Sequence, residues 1–223
     1  MSMTDRASGL FITFEGIDGC GKSTQMKLLV ERLRSAGHDV VETVEPGGTS
    51  VGGQIRRVLL DARNQEISPT TELFLYFASR AQNVDEVIRP ALEEGRIVIS
   101  DRYTDSTMVY QGVARGLGER VVADLHRLAC RGVDPDLTIY LDIDLETSLA
   151  RAASRNEKLT GDEAVETRMD EQSVEFYGKV REGYALLAGR EPGRFCVIDG
   201  GRGVASIADD IWTAVSARIG DAR

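Results

Sequence analysis

The stretch LFITFEGIDGCGKST, residues 10–24, decides the fold. Its apolar first part, residues 10–14, is rich in β-forming residues and predicts a buried strand. The part that follows matches G-x4-G-K-[ST], in which glycines let successive backbone N–H groups point at phosphate oxygens. A helix that begins near the lysine would add the positive end of its dipole. The sequence therefore predicts a P-loop, and the residues expected to bind the phosphates of ATP are Gly16, Ile17, Asp18, Gly19, Cys20, Gly21, Lys22, Ser23 and Thr24.

The composition limits the size and the partners of the protein. The chain has 223 residues, of which 42% are hydrophobic and 28% are charged, and its formal net charge is −9. This length and composition predict one globular domain with a substantial core. The acidic balance argues against sequence-independent binding to nucleic acid, which requires a basic face. It leaves room for small nucleotides, because a few clustered cations suffice for one pocket.

The cysteine usage and the N-terminal sequence indicate the cellular compartment of the protein. Cys20, Cys130 and Cys196 are isolated, so neither a disulfide framework nor a zinc site is expected. The polar start of the chain and the brief apolar run at 10–14 predict neither a signal peptide nor a membrane span. We therefore expect a cytoplasmic protein without a membrane partner.

Strand-like and helix-like segments alternate along the chain. The pattern predicts strands at 10–14, 39–44, 96–101, 138–143 and 195–199, and helices at 22–36, 52–61, 70–81 and 82–94. This alternation is typical of an α/β protein with a doubly wound five-stranded parallel sheet and helices on both faces, here a P-loop NTPase. Ligands of such sheets bind beyond the C-terminal strand ends.

The organisation expected from this pattern is a single P-loop domain with two short tails. We expect a tail at 1–9, the domain at 10–216 and a second tail at 217–223. The polar, weakly periodic stretch at about 150–170 is interpreted as a short lid.

Polar residues also follow the third strand. Asp101 is a candidate to hold Mg2+ through water, together with the Ser23 hydroxyl of the P-loop, and Arg102 offers planar donors to a phosphate. A surface salt bridge and a helix N-cap are the alternative interpretation. Hydrogen-bonding groups for a nucleobase and a sugar would come from Ser106, Thr107, Tyr110 and Gln111.

Further candidates for the second substrate precede that strand. Glu45 and Arg56 lie in and after the loop that follows the second strand, and Arg56 could bind a 5′-phosphate. Tyr76 and Arg80 are four residues apart and would share one face of a helix. An aromatic ring for stacking and an arginine for carbonyl oxygens would suit a pyrimidine. The alternatives are a solvated helix face for Arg56 and a core position for Tyr76.

A P-loop alone does not specify a reaction. The N-K-x-D sequence that reads guanine in regulatory GTPases does not occur, and the chain has no room for the partner-facing domains of motor and transport ATPases. A small chain with one P-loop domain is most often a metabolite kinase.

Several motifs together resemble the thymidylate kinase family. They are E-G-x-D-G-x-G-K-S-T at 15–24, E-P-G-G-T at 45–49, F-A-S-R-A-Q at 77–82, D-R-Y-x-x-S-x-x-Y-Q-G at 101–112, P-D-L-T-x-x-L-D at 135–142 and R-M-D-E-Q at 168–172. The resemblance extends from about Leu10 to Trp212, in the order and spacing of the family. It implies transfer of the γ-phosphoryl group of ATP to dTMP, giving dTDP, with Mg2+ as cofactor and a homodimer packed through helices.

The resemblance also implies residue roles. Asp18 would approach the deoxyribose 3′-hydroxyl, and Arg56 and Arg102 would hold the acceptor phosphate. Tyr76 occupies the stacking place under thymine, usually a Phe, and Arg80 would bind thymine O4. The remaining contacts, to the base edge and to the sugar 2′ position, would come from Thr107, Gln111 and Tyr110.

Three positions depart from the family pattern. Val44 replaces the Arg of T-R-E-P-G-G, and Gly53 replaces the acid of G-E-x-I-R. Thr167 stands where D-R-x-E has its aspartate. The first two leave the details of acceptor-phosphate binding open.

The expected mechanism is in-line transfer without a general base, because a phosphate monoester is mostly dianionic at neutral pH. Lys22, Mg2+ and Arg102 would supply positive charge. The P-loop carries no arginine, unlike one branch of the family, so a cation is expected from the lid: Arg151 and Arg155 first, Lys158 and Arg168 second. A solvated charged helix is the alternative. A kinase for another pyrimidine nucleotide or a deoxynucleoside, and a non-catalytic nucleotide-binding regulatory or scaffold protein, also remain open.

Overall fold

The computed structural model describes residues 9–156, 168–169 and 172–221. Within these ranges five parallel strands form one sheet in the order β2-β3-β1-β4-β5. The strands are β1 Leu10–Glu15, β2 Val40–Val44, β3 Ile97–Asp101, β4 Leu137–Asp142 and β5 Phe195–Asp199. The predicted α/β architecture is confirmed, and every predicted strand lies within one or two residues of its observed bounds.

Helices fill the intervals between the strands. They are α1 Lys22–Ser35, α2 Ser50–Leu60, α3 Pro69–Asn83, α4 Arg89–Glu93, α5 Thr104–Thr107, α6 Glu119–Cys130, α7 Leu145–Asn156, α8 Val174–Arg190 and α9 Val204–Asp221. Two π-helical segments, Val84–Ile88 and Met108–Ala114, continue α3 and α5. The described part of the chain contains no helix that is long and apolar enough to cross a membrane.

The predicted separation of helices 70–81 and 82–94 is wrong in detail. Helical backbone continues without a break from Pro69 to Glu93, and the junction is the π-helical segment. Pro90 explains its location, because proline has no N–H for the ordinary helical bond and its ring crowds the carbonyl four residues earlier. The wider π turn relieves that conflict.

Alternation along β1 divides the core between the two faces of the sheet. Ile12 and Phe14 face the cluster built with α1, α8 and α9, whereas Phe11 faces the cluster built with α3 and α6. All three side chains are fully buried, and burial of each stabilises the fold by roughly 2 kcal/mol. A strand covered on both faces is apolar at most of its positions, which is why LFITF marks the centre of the sheet.

A buried ion pair ties α5 to the turn before β5. Arg194 binds Asp105 through two hydrogen bonds, Nη1 to Oδ2 at 2.6 Å and Nη2 to Oδ1 at 2.9 Å. The Arg194 Nη1 also donates to the Thr138 hydroxyl at 2.7 Å. Both charged side chains are largely removed from water, so Asp105 depends on Arg194 for compensation, whereas Arg194 also pairs with Glu191 at 2.7 Å.

We predict that Arg194→Ala lowers the free energy of unfolding by about 3 kcal/mol, because Asp105 is left buried without its cation. Urea denaturation of the two proteins measures this difference. Arg190→Ala is the matched control: its pair with Glu119 is about half exposed on both sides and should contribute less than about 1 kcal/mol. Equal losses for the two variants would contradict the prediction.

Candidate active site

The P-loop between β1 and α1 can be formed only by glycine at its tight points. Gly16, Gly19 and Gly21 have φ values of 137°, 82° and 104°. A Cβ atom on Gly16 would lie 2.6 Å from the Leu141 carbonyl oxygen, and one on Gly19 would lie 2.3 Å from that of Ser148. The loop therefore wraps closely under its neighbours and leads directly into the N-terminus of α1.

Lys22 is folded back across this loop. Its Nζ donates to the carbonyl oxygens of Gly16 at 3.0 Å and Ile17 at 3.1 Å, and it lies 3.8 Å from the Cys20 sulfur. The ammonium group is nearly buried but lines the cavity described below. It is thus held against the P-loop by two of the loop's own carbonyl oxygens.

Arg102, directly after β3, lies opposite the loop. Its Nη2 binds the Asp18 carboxylate at 2.9 Å, and its Nη1 donates to the Ser106 hydroxyl at 3.0 Å. Its backbone has a φ of 70°, a costly conformation for a residue with a side chain. That backbone is fixed by its N–H, which donates to the Phe14 carbonyl at 3.0 Å, and by the Ser100 hydroxyl, which donates to the Arg102 carbonyl at 2.7 Å.

Asp101 has an unused oxygen. Its Oδ1 is buried and accepts no hydrogen bond from the described residues, although Asp101 and Ser23 line the same cavity. A buried carboxylate oxygen without a donor is expensive unless a ligand satisfies it. A carboxylate and a hydroxyl are ligands that suit Mg2+, so this donor set fits the cofactor that the sequence predicts.

Glu15, the last residue of β1, is a functional candidate that sequence reasoning missed. Its Oε1 accepts from the Tyr103 N–H at 2.8 Å, and its Oε2 accepts from the Ser106 hydroxyl at 2.5 Å and the Tyr184 hydroxyl at 2.7 Å. Complete burial and the nearby Asp105 raise its pKa to about 7, although the Arg102 charge opposes the shift. The sequence did contain a signal for this role, because a charged residue at the end of a buried strand, between Phe14 and Gly16, needs buried partners.

At the far end of the cavity Arg80 is fully buried and held by acceptors. Its Nε binds Glu45 at 2.5 Å, and its Nη2 donates to the Tyr103 carbonyl at 3.1 Å and the Thr107 hydroxyl at 3.0 Å. Its Nη1 is buried and has no partner among the described residues. The second oxygen of Glu45 accepts from Asn83 at 3.0 Å, so Glu45 orients the arginine.

The other candidates for binding the second substrate are Gln111, Arg56 and Tyr76. The Gln111 Nε2 donates to Glu72 at 2.9 Å, and the Arg56 Nη1 donates to the Pro46 carbonyl at 3.0 Å. Tyr76 is half-buried, and burial raises the pKa of its hydroxyl to about 12, so the hydroxyl keeps its proton at neutral pH.

One cavity of about 780 Å3 joins these groups. Most of the predicted site residues line it: Asp18, Gly19, Gly21, Lys22, Ser23, Thr24, Glu45, Arg56, Tyr76, Arg80, Asp101, Arg102, Ser106, Thr107, Tyr110 and Gln111. Gly16, Ile17 and Cys20 belong to the loop but do not line the cavity.

Two departures from the family pattern lie among the described residues. Val44 stands on the cavity wall and is about one third exposed. A Cβ atom on Gly53 would meet no other atom within 4 Å, so a larger residue would fit there. Thr167 lies outside the described residues.

The structure describes the side chains of two of the four lid candidates, Arg151 and Arg168. Arg151 is exposed on α7, and its Nη1 is 3.4 Å from the Gly200 carbonyl oxygen. The Ser148 hydroxyl on the same helix donates to the Asp18 carbonyl, so α7 contacts the P-loop. Arg155 falls on α7 without a described side chain, and Lys158 lies outside the described residues. Arg168 is buried and paired with Glu72 at 2.7 Å, which makes it a poor candidate for a lid cation.

A cavity that extends from a P-loop to a set of buried polar side chains at the C-terminal ends of the strands is typical of a kinase for a small nucleotide. The model of the family described as thymidylate kinase matches residues 14–211 of this chain. A thymidylate kinase of Geobacter sulfurreducens is 51% identical over 212 residues, which are 95% of this chain and 98% of that relative. A thymidylate kinase of Geotalea uraniireducens is 48% identical and covers 96% and 99%, and one of Trichlorobacter lovleyi is 49% identical and covers 94% and 98%.

The chain belongs to the thymidylate kinase family. Its reaction is the ATP-dependent phosphorylation of dTMP to dTDP. The resemblance seen in the motifs is thereby confirmed.

We predict a specific pH dependence of stability from Glu15. A buried acid with a raised pKa keeps its proton in the folded state while the unfolded chain loses it, so stability falls as pH rises from about 4.5 to about 7. A shift of this size corresponds to a loss on the order of 3 kcal/mol. Glu15→Gln should lack this decline, which urea denaturation across that pH range would measure.

Glu15→Gln also loses hydrogen bonds, but this loss lowers the free energy of unfolding equally at every pH. It therefore does not change how that free energy varies with pH. Glu31→Gln, which changes an exposed carboxylate on α1, serves as the control and should keep the wild-type profile. Parallel profiles for wild type and Glu15→Gln would refute the assignment.

Proposed function

We propose that the cavity binds both nucleotides of the reaction at once, with the phosphates of ATP at the P-loop and dTMP between Arg102 and Arg80. The observation that carries this proposal is the single cavity that the P-loop lysine, the strand-end arginine and the buried Arg80 line together. The groups are arranged in the order in which a donor phosphate, an acceptor phosphate and a nucleobase would require them.

At the donor end, the backbone amides of residues 16–24 would bind the polyphosphate. Lys22 would exchange its contacts with the Gly16 and Ile17 carbonyls for the β- and γ-phosphate oxygens. Ser23 and Asp101 would hold Mg2+. When bound, the ion would neutralise negative charge on the β- and γ-phosphates of ATP. The unpartnered Asp101 Oδ1 supports this assignment.

At the acceptor phosphate, Arg102 and Arg56 would provide the charge-assisted hydrogen bonds. Arg102 is fixed by Asp18, and Asp18 would in turn approach the 3′-hydroxyl of the sugar. One ion pair would thus place both the phosphate and the sugar of dTMP relative to the P-loop.

At the base, the free Nη1 of Arg80 would donate to thymine O4. Thr107, Gln111 and Ser106 would contribute to the polar contacts of base and sugar, and Tyr76 would stack on the ring. Tyr110 would occupy the space that a ribose 2′-hydroxyl needs. Glu45 would act through Arg80, because both of its oxygens are already used.

Transfer would be in line and would need no general base, because the acceptor phosphate is already mostly dianionic at neutral pH. Glu15 does not fill that role, since it is completely buried and both of its oxygens accept hydrogen bonds from the protein. Catalysis would therefore rest on positioning and on neutralisation of the transferred charge.

We predict that Arg151→Ala or Arg155→Ala lowers kcat at least about tenfold with little change in dTMP affinity. The physical reason is that a cation acting on the transferring phosphoryl group stabilises the transition state more than the ground state. Steady-state kinetics by coupled ADP release, with dTMP binding measured separately, test the prediction.

Arg202→Ala is the control, because Arg202 is an exposed arginine that lies outside α7 and pairs with Asp210 on α9. Unchanged turnover in both Arg151→Ala and Arg155→Ala would remove α7 from the mechanism.

We also propose a homodimer that packs through α2, α3 and α6. These helices expose large apolar side chains, namely Val51, Val58, Phe74, Val121 and Leu128. Exposed apolar residues grouped on neighbouring helices are typical of a protein–protein interface. The contacts of α3 with α2 and α6 make the three helices neighbours.

We predict that Phe74→Asp combined with Leu128→Asp gives a monomer, because two charges would be buried in the interface. Sedimentation velocity of the variant and the wild type measures this. Val204→Asp is the control, because Val204 is similarly exposed but lies on α9. A wild type that sediments as a monomer would reject the proposed interface.

We propose the cytoplasm as the compartment, as the cysteine usage predicts. Cys20, Cys130 and Cys196 are all free thiols in the structure, which suits a reducing environment.

A further inference from the structure

Glu72 is a buried carboxylate just outside the base end of the cavity. It lies on α3 two turns before Arg80, its side chain is about 1% exposed, and it does not line the cavity. Three side chains donate to it: Gln111 Nε2 at 2.9 Å, Arg115 Nε at 3.2 Å and Arg168 Nη2 at 2.7 Å. The catalytic scheme above makes no use of it.

The two arginines keep this carboxylate ionised. Burial favours the protonated form, but the hydrogen bond from Gln111 and the charges of Arg115 and Arg168 outweigh it and lower the pKa of Glu72. An ionised carboxylate has only acceptors to offer. The amide of Gln111 therefore has to turn its Nε2 toward Glu72.

That orientation decides what Gln111 offers to a ligand. With Nε2 committed to Glu72, the carbonyl oxygen Oε1 is the amide atom left for the cavity that Gln111 lines. An acceptor there matches the N3–H of thymine or uracil. It opposes the N3 lone pair of cytosine.

Arg80 shows the same arrangement with the opposite polarity. Glu45 holds its Nε, and the unpartnered Nη1 can only donate. A donor matches the O4 acceptor of thymine and opposes the amino group of cytosine. The two buried carboxylates thus fix a donor and an acceptor in the order that thymine needs.

We propose that Glu72 is a positioning residue that sets the selectivity for thymine over cytosine by fixing the amide of Gln111. It touches no substrate and acts only through Gln111. This inference rests on the base-reading role of Gln111 proposed above.

The test compares dTMP with dCMP as acceptors in Glu72→Gln, by kcat/KM from coupled ADP release. The substituted amide has the size of the carboxylate but can also donate, so Gln111 is free to turn its Nε2 to the base. The ratio of kcat/KM for dTMP to that for dCMP should fall at least about tenfold, with the change mainly in KM because orientation of the base is a binding effect.

Arg115→Gln is the matched control. It removes one partner of Glu72 but leaves the carboxylate, Arg168 and Gln111 in contact, so the dTMP to dCMP ratio should equal that of the wild type. Glu72→Asp keeps an acceptor-only group and should restore most of the ratio. A purely structural role of Glu72 would instead lower activity toward both acceptors equally.

Glu72→Gln leaves Arg168 buried without a counter-ion, and this could prevent folding. If that variant does not fold, Glu72→Gln with Arg168→Met removes the uncompensated charge, and Arg168→Met alone is its reference. The same fall in the ratio is expected between these two proteins.

Gln111→Leu tests the base-reading role of Gln111 separately from the positioning role of Glu72. A collapsed ratio in Gln111→Leu with an unchanged ratio in folded Glu72→Gln would overturn the role of Glu72 and leave that of Gln111 intact. An unchanged ratio in Gln111→Leu would overturn the base-reading role itself, and with it this inference.

Discussion

The carboxylate of Glu15 joins the ends of the two central strands, and the geometry of the site depends on this contact. By accepting the Tyr103 N–H it holds the turn after β3 against the end of β1. That turn contains Arg102 in a left-handed conformation, which would relax if its neighbours did not fix it. Glu15 therefore helps to place the strand-end arginine relative to the P-loop, together with the Phe14 carbonyl that accepts the Arg102 N–H, although it contacts neither nucleotide in the scheme proposed here.

Buried carboxylates are used repeatedly in this way. Glu15 holds the Ser106 hydroxyl, Glu45 holds Arg80, and Glu72 holds Gln111. Each costs desolvation energy that hydrogen bonds and neighbouring cations have to offset. In return each fixes a polar side chain in one orientation before a ligand arrives, so less conformational entropy is lost on binding. The pocket is thus preorganised by groups that stand behind its walls.

The sequence predicted those features that are encoded locally. Five apolar runs gave the strands, and the glycine spacing at 16–21 gave the loop, because both patterns depend only on near neighbours. The four-residue spacing of Tyr76 and Arg80 placed both on the cavity. Glu15 and Glu72 escaped prediction because their partners are remote: Tyr184 is 169 positions from Glu15, and Arg168 is 96 positions from Glu72. The left-handed backbone of Arg102 likewise depends on contacts with another strand, which no local pattern records. The π turn before Pro90 is a local effect of that proline, but the sequence pattern alone predicts two separate helices.

The packing of Gly19 under α7 has a consequence for how this lineage can change. Any side chain at position 19 would collide with the Ser148 carbonyl at the base of α7, and the positive φ adds backbone strain. An arginine at position 19 would therefore require the start of α7 to move away from the loop. The close approach of two backbones thus reserves this one position of the loop for glycine, whichever side chain supplies positive charge to the transferred phosphate.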